Sequence, residues 1–212
     1  MKYNTSNIES IGKEYYPMNI ITEARSSFRH VVPITGDIGE IYEYGEFVKI
    51  LACASEGDEV YIQLSSSGGD FNTCDYLCRR MDECEAKITV EIGLTCASVA
   101  SAIALHAHAW VICPSSTMMI QSCSHSTGYG KESDVRARTH FVERVNKEWI
   151  ERTYLGFLSE HELNDVLNNG KDLYFYSDDL HERMPRHKKY RQECSDREVE
   201  EIIKYWKTQD TA

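Results

Sequence analysis

The chain is short of residues that break a fold, and it lacks any long apolar run. Of 212 residues, 4 are proline and 12 are glycine, which argues against a disordered or low-complexity chain. No apolar stretch reaches the ~18 residues of a membrane span. The opening "MKYNTSNIESIGKEYY" holds no hydrophobic signal core. A soluble, intracellular, cytoplasmic protein with no membrane contact is the expectation. Positive charge is also scarce: the net charge is −11, so no nucleic-acid partner is expected. The one basic cluster, "PRHKKYR" from Pro185 to Arg191, reads as a solvated tail or as a docking site. The 8 cysteines form no C-x-x-C pair and no Cys/His zinc spacing, so neither metal nor cofactor is implied. Cys74 and Cys78 share one helix face, and free buried thiols suit a reducing compartment.

With no Pro/Gly/Ser linker and 42% hydrophobic residues, one domain with appendages fits better than two domains. Residues 1–28 are polar and irregular, with Tyr15 and Tyr16 beside Pro17, and read as an N-terminal arm. "HVVPITGDIG" reads as a strand and turn. "EYGEFVKILACAS" has apolar residues at helical spacing. "EVYIQLSSSGGD" is a buried strand running into a loop of small residues, followed by the amphipathic helix "FNTCDYLCRRMDEC". "KITVEIG" is a strand ending at Gly93, and "ASVASAIALHAHA" a buried helix. "AWVICP" and "TMMIQS" are strands. A long charged helix follows from Glu132 to about Tyr154. "SEHELNDVLNNG" is a short helix opened by a capping box, Ser159 and Glu162, and stopped by Gly170. "DLYFYS" is a late strand, and "SDREVEEIIKYW" a last helix opened by a second box, Ser195 and Glu198. Strands alternating with helices predict an α/β fold of βαβ units around parallel strands.

Three segments bear chemistry. In "SSSGGD", Ser65 to Asp70, a strand ends at two glycines. Such a loop turns backbone N–H groups toward an anion or oxyanion, or is a plain strand-to-helix turn. In "GLTCASVASAIAL", Ser98 stands near a helix N-terminus, as an N-cap or as a nucleophile with its neighbour's N–H as oxyanion donor. Both loops fall at the carboxyl ends of parallel strands, where ligands collect. Asp172 precedes a strand late in the chain. Serine, Gly-Gly loop and distant aspartate make an acyl-transfer constellation that lacks a base.

At these segments the sequence resembles the Clp protease proteolytic subunit, a serine peptidase of the ClpP/crotonase-like fold. The family's strand and "SPGG" loop match "YIQLSSSGGD", and its G-x-A-A-S-M-G-A helix start is similar to "GLTCASVASA". Its "MIHQ" strand end aligns with "MMIQSCS", and its R-D-x-F-M-S-A-x-E-A segment resembles "KDLYFYSDDL". "GYGKESD" before a long helix is similar to the divergent Clp-like peptidases of some large tailed phages. The resemblance runs from Arg29 to Met184. It implies stacked βαβ units with a protruding handle helix (about 130–158), a Clp-protease-like domain over 29–184, and a C-terminal helical extension over 185–212. It further implies Ser98 as nucleophile, Asp172 as the residue orienting an imidazolium, and the N–H groups of Gly69 and Val99 as the oxyanion hole. Family members form heptameric rings, usually stacked in pairs around a chamber. They take peptides or unfolded chains from an ATP-driven unfoldase.

Three departures stand out. Ser67 replaces the family's proline. Gly93 to Ser98 is one residue longer than usual, so an ungapped match would select Ala97; Ser98 is preferred because "SVAS" continues the small-residue helix. Ser101, the alternative serine, lies inside that helix. Third, the base histidine falls on Gln121, whose amide accepts no proton near neutral pH. Of the other histidines, His106 and His108 lie too far along Ser98's own helix, and His140 belongs to the long helix. His125 is the one close candidate base, and its alternative reading is a surface-loop histidine. Cys96 and Cys123 are read as structural thiols. Three readings follow: a Clp-type serine endopeptidase; an inactive ring subunit that scaffolds, binds peptide or co-assembles; and a crotonase-type acyl-CoA enzyme, which the Ser98–Asp172 pattern disfavours.

Overall fold

A computed structural model describes residues 27–209. The arm expected at 1–28 lies outside this range except for its last two residues. The first strand, β1 (Arg29–Thr35), leads through a 3-10 turn into α1 (Gly45–Cys53), then β2 (Glu59–Ser66) and α2 (Phe71–Asp82). Next come β3 (Lys87–Ala97), α3 (Val99–Leu105), β4 (Ala109–Ile112) and β5 (Thr117–Ile120). The chain closes with α4 (Glu132–Tyr154), α5 (Glu160–Asn169), β6 (Leu173–Tyr176) and α6 (Ser177–Gln209). The sheet runs β1-β2-β3-β5-β6, with β4 branching from β3. All pairings are parallel except β5 with β6. The expected α/β architecture is thus present.

Alternation along the strands makes one sheet face apolar. Val60, Ile62 and Leu64 of β2, Ile88, Val90 and Ile92 of β3, and Met118 and Ile120 of β5 are all buried there. They form one core with Leu51 of α1, Leu77 and Met81 of α2, and Ile103 of α3. The opposite face is polar: the Tyr61 hydroxyl donates to Glu91 at 2.6 Å.

β3 does not stop at Gly93 as expected; it runs on to Ala97. Its first half pairs with β4 and its last residues with β5, and the β2 register slips between Leu64 and Ser66. A Cβ on Gly93 would lie 3.0 Å from the Ser65 Cβ. That glycine marks a close approach of two strands at a bulge, not a strand end.

The Ser159/Glu162 capping box forms, and Gly170 ends α5 in the left-handed region (φ 60°) as expected. The Ser195/Glu198 box does not. α6 is continuous from Ser177 and carries Ser195 and even Pro185 in its interior. Tertiary contacts override the local signals. Leu180, Met184 and His187 are buried on one face. Arg183 grips Glu162 through two bonds of 2.8 and 2.9 Å, which holds the Glu162 carboxyl down at about 2. The basic cluster is not a free tail but part of α6: Arg186 donates to the carbonyl of Phe157, Lys188 to that of His108 and Arg191 to that of Leu105, while Pro185, Arg186, Lys188 and Lys189 stay exposed. These cations cap carbonyls near helix ends, where positive charge is favoured.

Candidate active site

Three parallel strands deliver their carboxyl ends to one edge. β2 gives the Gly68–Gly69 loop, β3 gives Ser98 and β5 gives Gln121. Ser98 is the tight turn between β3 and α3, with φ 55° and ψ −134°. Among the described residues it alone has positive φ without being glycine. A strand–turn–helix corner of this kind holds a serine Oγ at the tip of the turn, at a backbone cost of about 1–3 kcal/mol. The strain is tied down: the Ser98 N–H donates to the Met119 carbonyl at 2.8 Å. Its side chain makes no capping bond, so the N-cap reading loses its physical basis. Ala97, the ungapped alternative, is the last residue of β3 and buried. Ser101 is fully buried and donates to the Ser98 carbonyl at 2.6 Å.

The glycine loop is built to approach. A Cβ on Gly68 would lie 2.7 Å from the Ser98 Cβ, and one on Gly69 would lie 2.2 Å from the Ile38 carbonyl oxygen. Both glycines have positive φ, 109° and 145°. A parallel bridge ties the loop to Ile38: Ile38 N–H donates to Gly68 and Asp70 N–H donates to Ile38, each at 2.7 Å. Among the described residues the Gly69 N–H has no backbone acceptor. Val99 opens α3, and the first N–H groups of a helix have no intrahelical acceptor. Gly68 thus packs against Ser98, and Val99 follows Ser98 in the chain.

Gln121 reaches Ser98. Its Nε2 donates to the Ser98 Oγ at 3.2 Å. Asp172 is not joined to the site by any bond: the β5–β6 ladder ends at the Ile120–Leu173 pair, and Asp172, the residue just before β6, is exposed and makes no hydrogen bond to Gln121 or Ser98. His125 is not brought in. It is exposed and makes no hydrogen bond to Ser98 or to any other described residue. The remaining nearby histidines are committed: His106 Nδ1 pairs with Asp82 at 2.8 Å, and His108 Nδ1 accepts from the Ile88 N–H at 2.9 Å. Burial pushes the Cys123 thiol up to about 11 and Cys96 higher still, so both stay protonated near neutral pH.

A family model described as Clp protease matches residues 37–164. The chain belongs to the Clp protease family. No curated protein matches it. The matched span contains Gly69, Ser98, Val99, Gln121 and His125, while Asp172 lies beyond it. Membership carries the ClpP-like fold and supports a homo-oligomer, since the family usually forms rings. The long charged helix expected from Glu132 is α4, whose 23 residues span about 34 Å at 1.5 Å per residue. Only its last turns are buried, at Trp149, Ile150, Thr153 and Tyr154. No described helix is long and apolar enough to cross a membrane.

The C-terminal end of α4 holds a residue that no motif singled out. Tyr154 is fully buried, and its hydroxyl meets the Ser101 Oγ at 2.9 Å and the Ser98 carbonyl at 3.4 Å. Burial holds its phenol well above the ordinary value. Cys74 of α2 adds a thiol bond to the Val99 carbonyl at 2.9 Å. The Ser98 turn is thus clamped from α2, α4 and β5 at once. In the sequence Tyr154 marks only the end of a helical pattern, which does not signal this role. Tyr154→Phe deletes the buried hydroxyl that makes both contacts and is expected to cost about 1–2 kcal/mol, measured as a shift in the urea midpoint at unchanged slope.

Proposed function

We propose that this chain is a peptide-binding subunit of a Clp-type ring in which hydrolysis is strongly attenuated. One observation carries the reading: the Gln121 amide contacts the Ser98 hydroxyl where the family's base histidine stands. An amide in that position holds the serine but takes no proton from it. The Gly69 and Val99 N–H groups cradle a peptide carbonyl, and Asp172 sits behind Gln121. The peptide is then held with its carbonyl polarised and no efficient route to cleavage. By family the ring is a heptamer or a pair of heptamers in the cytoplasm, and it receives unfolded chains from an ATP-driven unfoldase. Such a ring retains or presents peptide, or co-assembles with an active paralogue.

A fluorophosphonate probe tests this, because it reacts only with a base-activated serine. The wild-type chain is expected to stay unlabelled, and Gln121→His to acquire an adduct at Ser98. Wild-type labelling at Ser98 that disappears in His125→Ala would instead establish an active peptidase whose base is His125.

A further inference from the structure

β5 ends at Ile120, and the chain from Gln121 to Gly130 is neither helix nor strand. Position 121 therefore stands just past the last residue of its strand. Ile120 is fully buried, which fixes the near side of Gln121. The far side is fixed from α4. Two residues on, the Cys123 N–H donates to the Asn146 Oδ1 at 3.2 Å, and Cys123 packs against the core. The partner is a backbone donor, so Asn146 must turn its oxygen toward it and not its amide nitrogen.

Asparagine is a weaker helix former than most residues, yet Asn146 lies inside α4 and is half-buried. It precedes Trp149 and Ile150, where the burial of α4 begins, by three and four residues. That spacing puts all three on one side of the helix, toward the body. Four-residue steps along α4 then run from Asn146 through Ile150 to Tyr154. Asn146 fastens the segment that carries Gln121, Ile150 is buried, and the Tyr154 hydroxyl meets the Ser98 carbonyl at 3.4 Å. The first and last stand about 12 Å apart along the axis at 1.5 Å per residue. One helix thus holds both partners of the Gln121–Ser98 contact.

We propose that Asn146 is a positioning residue: its oxygen fastens the segment after β5 so that the side chain at 121 meets the Ser98 hydroxyl. The proposal rests on the reading of position 121 as the place of the triad's base. Without that acceptor the Cys123 N–H loses its partner, and residue 121 is anchored from the Ile120 side alone. A misplacement of about 1 Å at a reacting group costs as much as about 10²-fold in rate. Aspartate at 146 keeps an acceptor at the same reach, and alanine removes it. Alanine is also the better helix former, so its effect is not that of a weakened α4.

The test uses the full-length chain in two ways. In crystal structures, Asn146→Ala is expected to lose the Gln121–Ser98 contact and Asn146→Asp to keep it. In the Gln121→His background, the rate of fluorophosphonate labelling at Ser98 is expected to fall about tenfold or more with Asn146→Ala and to recover with Asn146→Asp. A contact that persists in Asn146→Ala, or that is lost equally in Asn146→Asp, would overturn the proposal, as would labelling that alanine leaves unchanged. If Gln121→His takes no label at all, the attenuated-triad reading fails, and the two structures still decide the role of Asn146.

Discussion

Gln121→His is expected to raise peptide hydrolysis by roughly 10²–10⁴-fold, the span general-base catalysis supplies. The proposed site supplies the other parts: Ser98 in a strained turn after β3, the Gly69 and Val99 N–H groups as oxyanion donors, and Asp172 one residue beyond the Ile120–Leu173 pair that ends the β5–β6 ladder. An imidazole at 121 gains an acceptor nitrogen toward Ser98 and a carboxylate behind it. The wild-type deficit does not depend on which way the Gln121 amide is turned. With Nε2 toward Ser98 it donates and leaves the serine proton without an acceptor. With the oxygen inward it accepts a hydrogen bond, but an amide oxygen takes no proton near neutral pH. Removing the base from a triad costs on the order of 10⁶ in turnover and leaves roughly 10³–10⁴ over water from binding and the oxyanion hole. In Gln121→His the rate should rise with pH through about 6.5, the ordinary imidazole range. A further Asp172→Asn should remove most of the gain by leaving the imidazole in the wrong tautomer. A histidine variant as inert as wild type, folded and assembled, would mean that the register does not deliver position 121 to Ser98.

The sequence made the site legible where chemistry is local. The Gly-Gly loop, Ser98 at a helix start and Gln121 at a strand end are each set by a few neighbouring residues, and all three stand at one sheet edge. Asp172 entered the constellation only as a distant acid, because the position of its segment depends on an antiparallel pairing between strands 53 residues apart (Ile120 with Leu173). Tyr154 was illegible: nothing about a tyrosine at the end of an amphipathic helix says that its hydroxyl meets Ser101. The error in α6 has the same origin. Pro185 and the Ser195/Glu198 pattern are local stop and start signals, while the helix is held by Arg183, Arg186 and Arg191 on partners 21 to 86 residues away. Gly93 misled for a related reason. A glycine inside an apolar strand marks either an end or a close contact, and only the neighbouring strand decides which.

Acid should loosen that same α6 docking well before it touches the carboxylates. His187 is 1% exposed, and among the described residues neither of its ring nitrogens has a hydrogen-bond partner of ordinary geometry. Its ring lies edge-on to Phe157 at 6.3 Å. Burial, with Arg191, His106 and Arg186 nearby, pushes its pKa down to about 3. The unfolded chain titrates near 6.5, so between these values the unfolded state binds the proton and the folded state does not. The stability from neutral His187 is therefore complete above about pH 6.5 and lost as pH falls toward 3. At pH 5, some 1.5 units into that window, the loss is about 2 kcal/mol at 1.36 kcal/mol per unit. Glu162 acts lower: with its carboxyl held at about 2, its contribution is lost only as pH falls from about 4.5. His108, also shifted down by burial, adds in the same direction as His187. His187→Leu separates the two. It fills the cavity without a titrating group, removes two unpaired polar atoms, and should be neutral or stabilising at pH 7. Urea midpoints at pH 7 and pH 5, taken at one protein concentration, should fall steeply in wild type and far less in the leucine variant. Equal losses in both would show that the folded chain protonates His187 without strain, and that α6 stays seated with a charged imidazole beneath it.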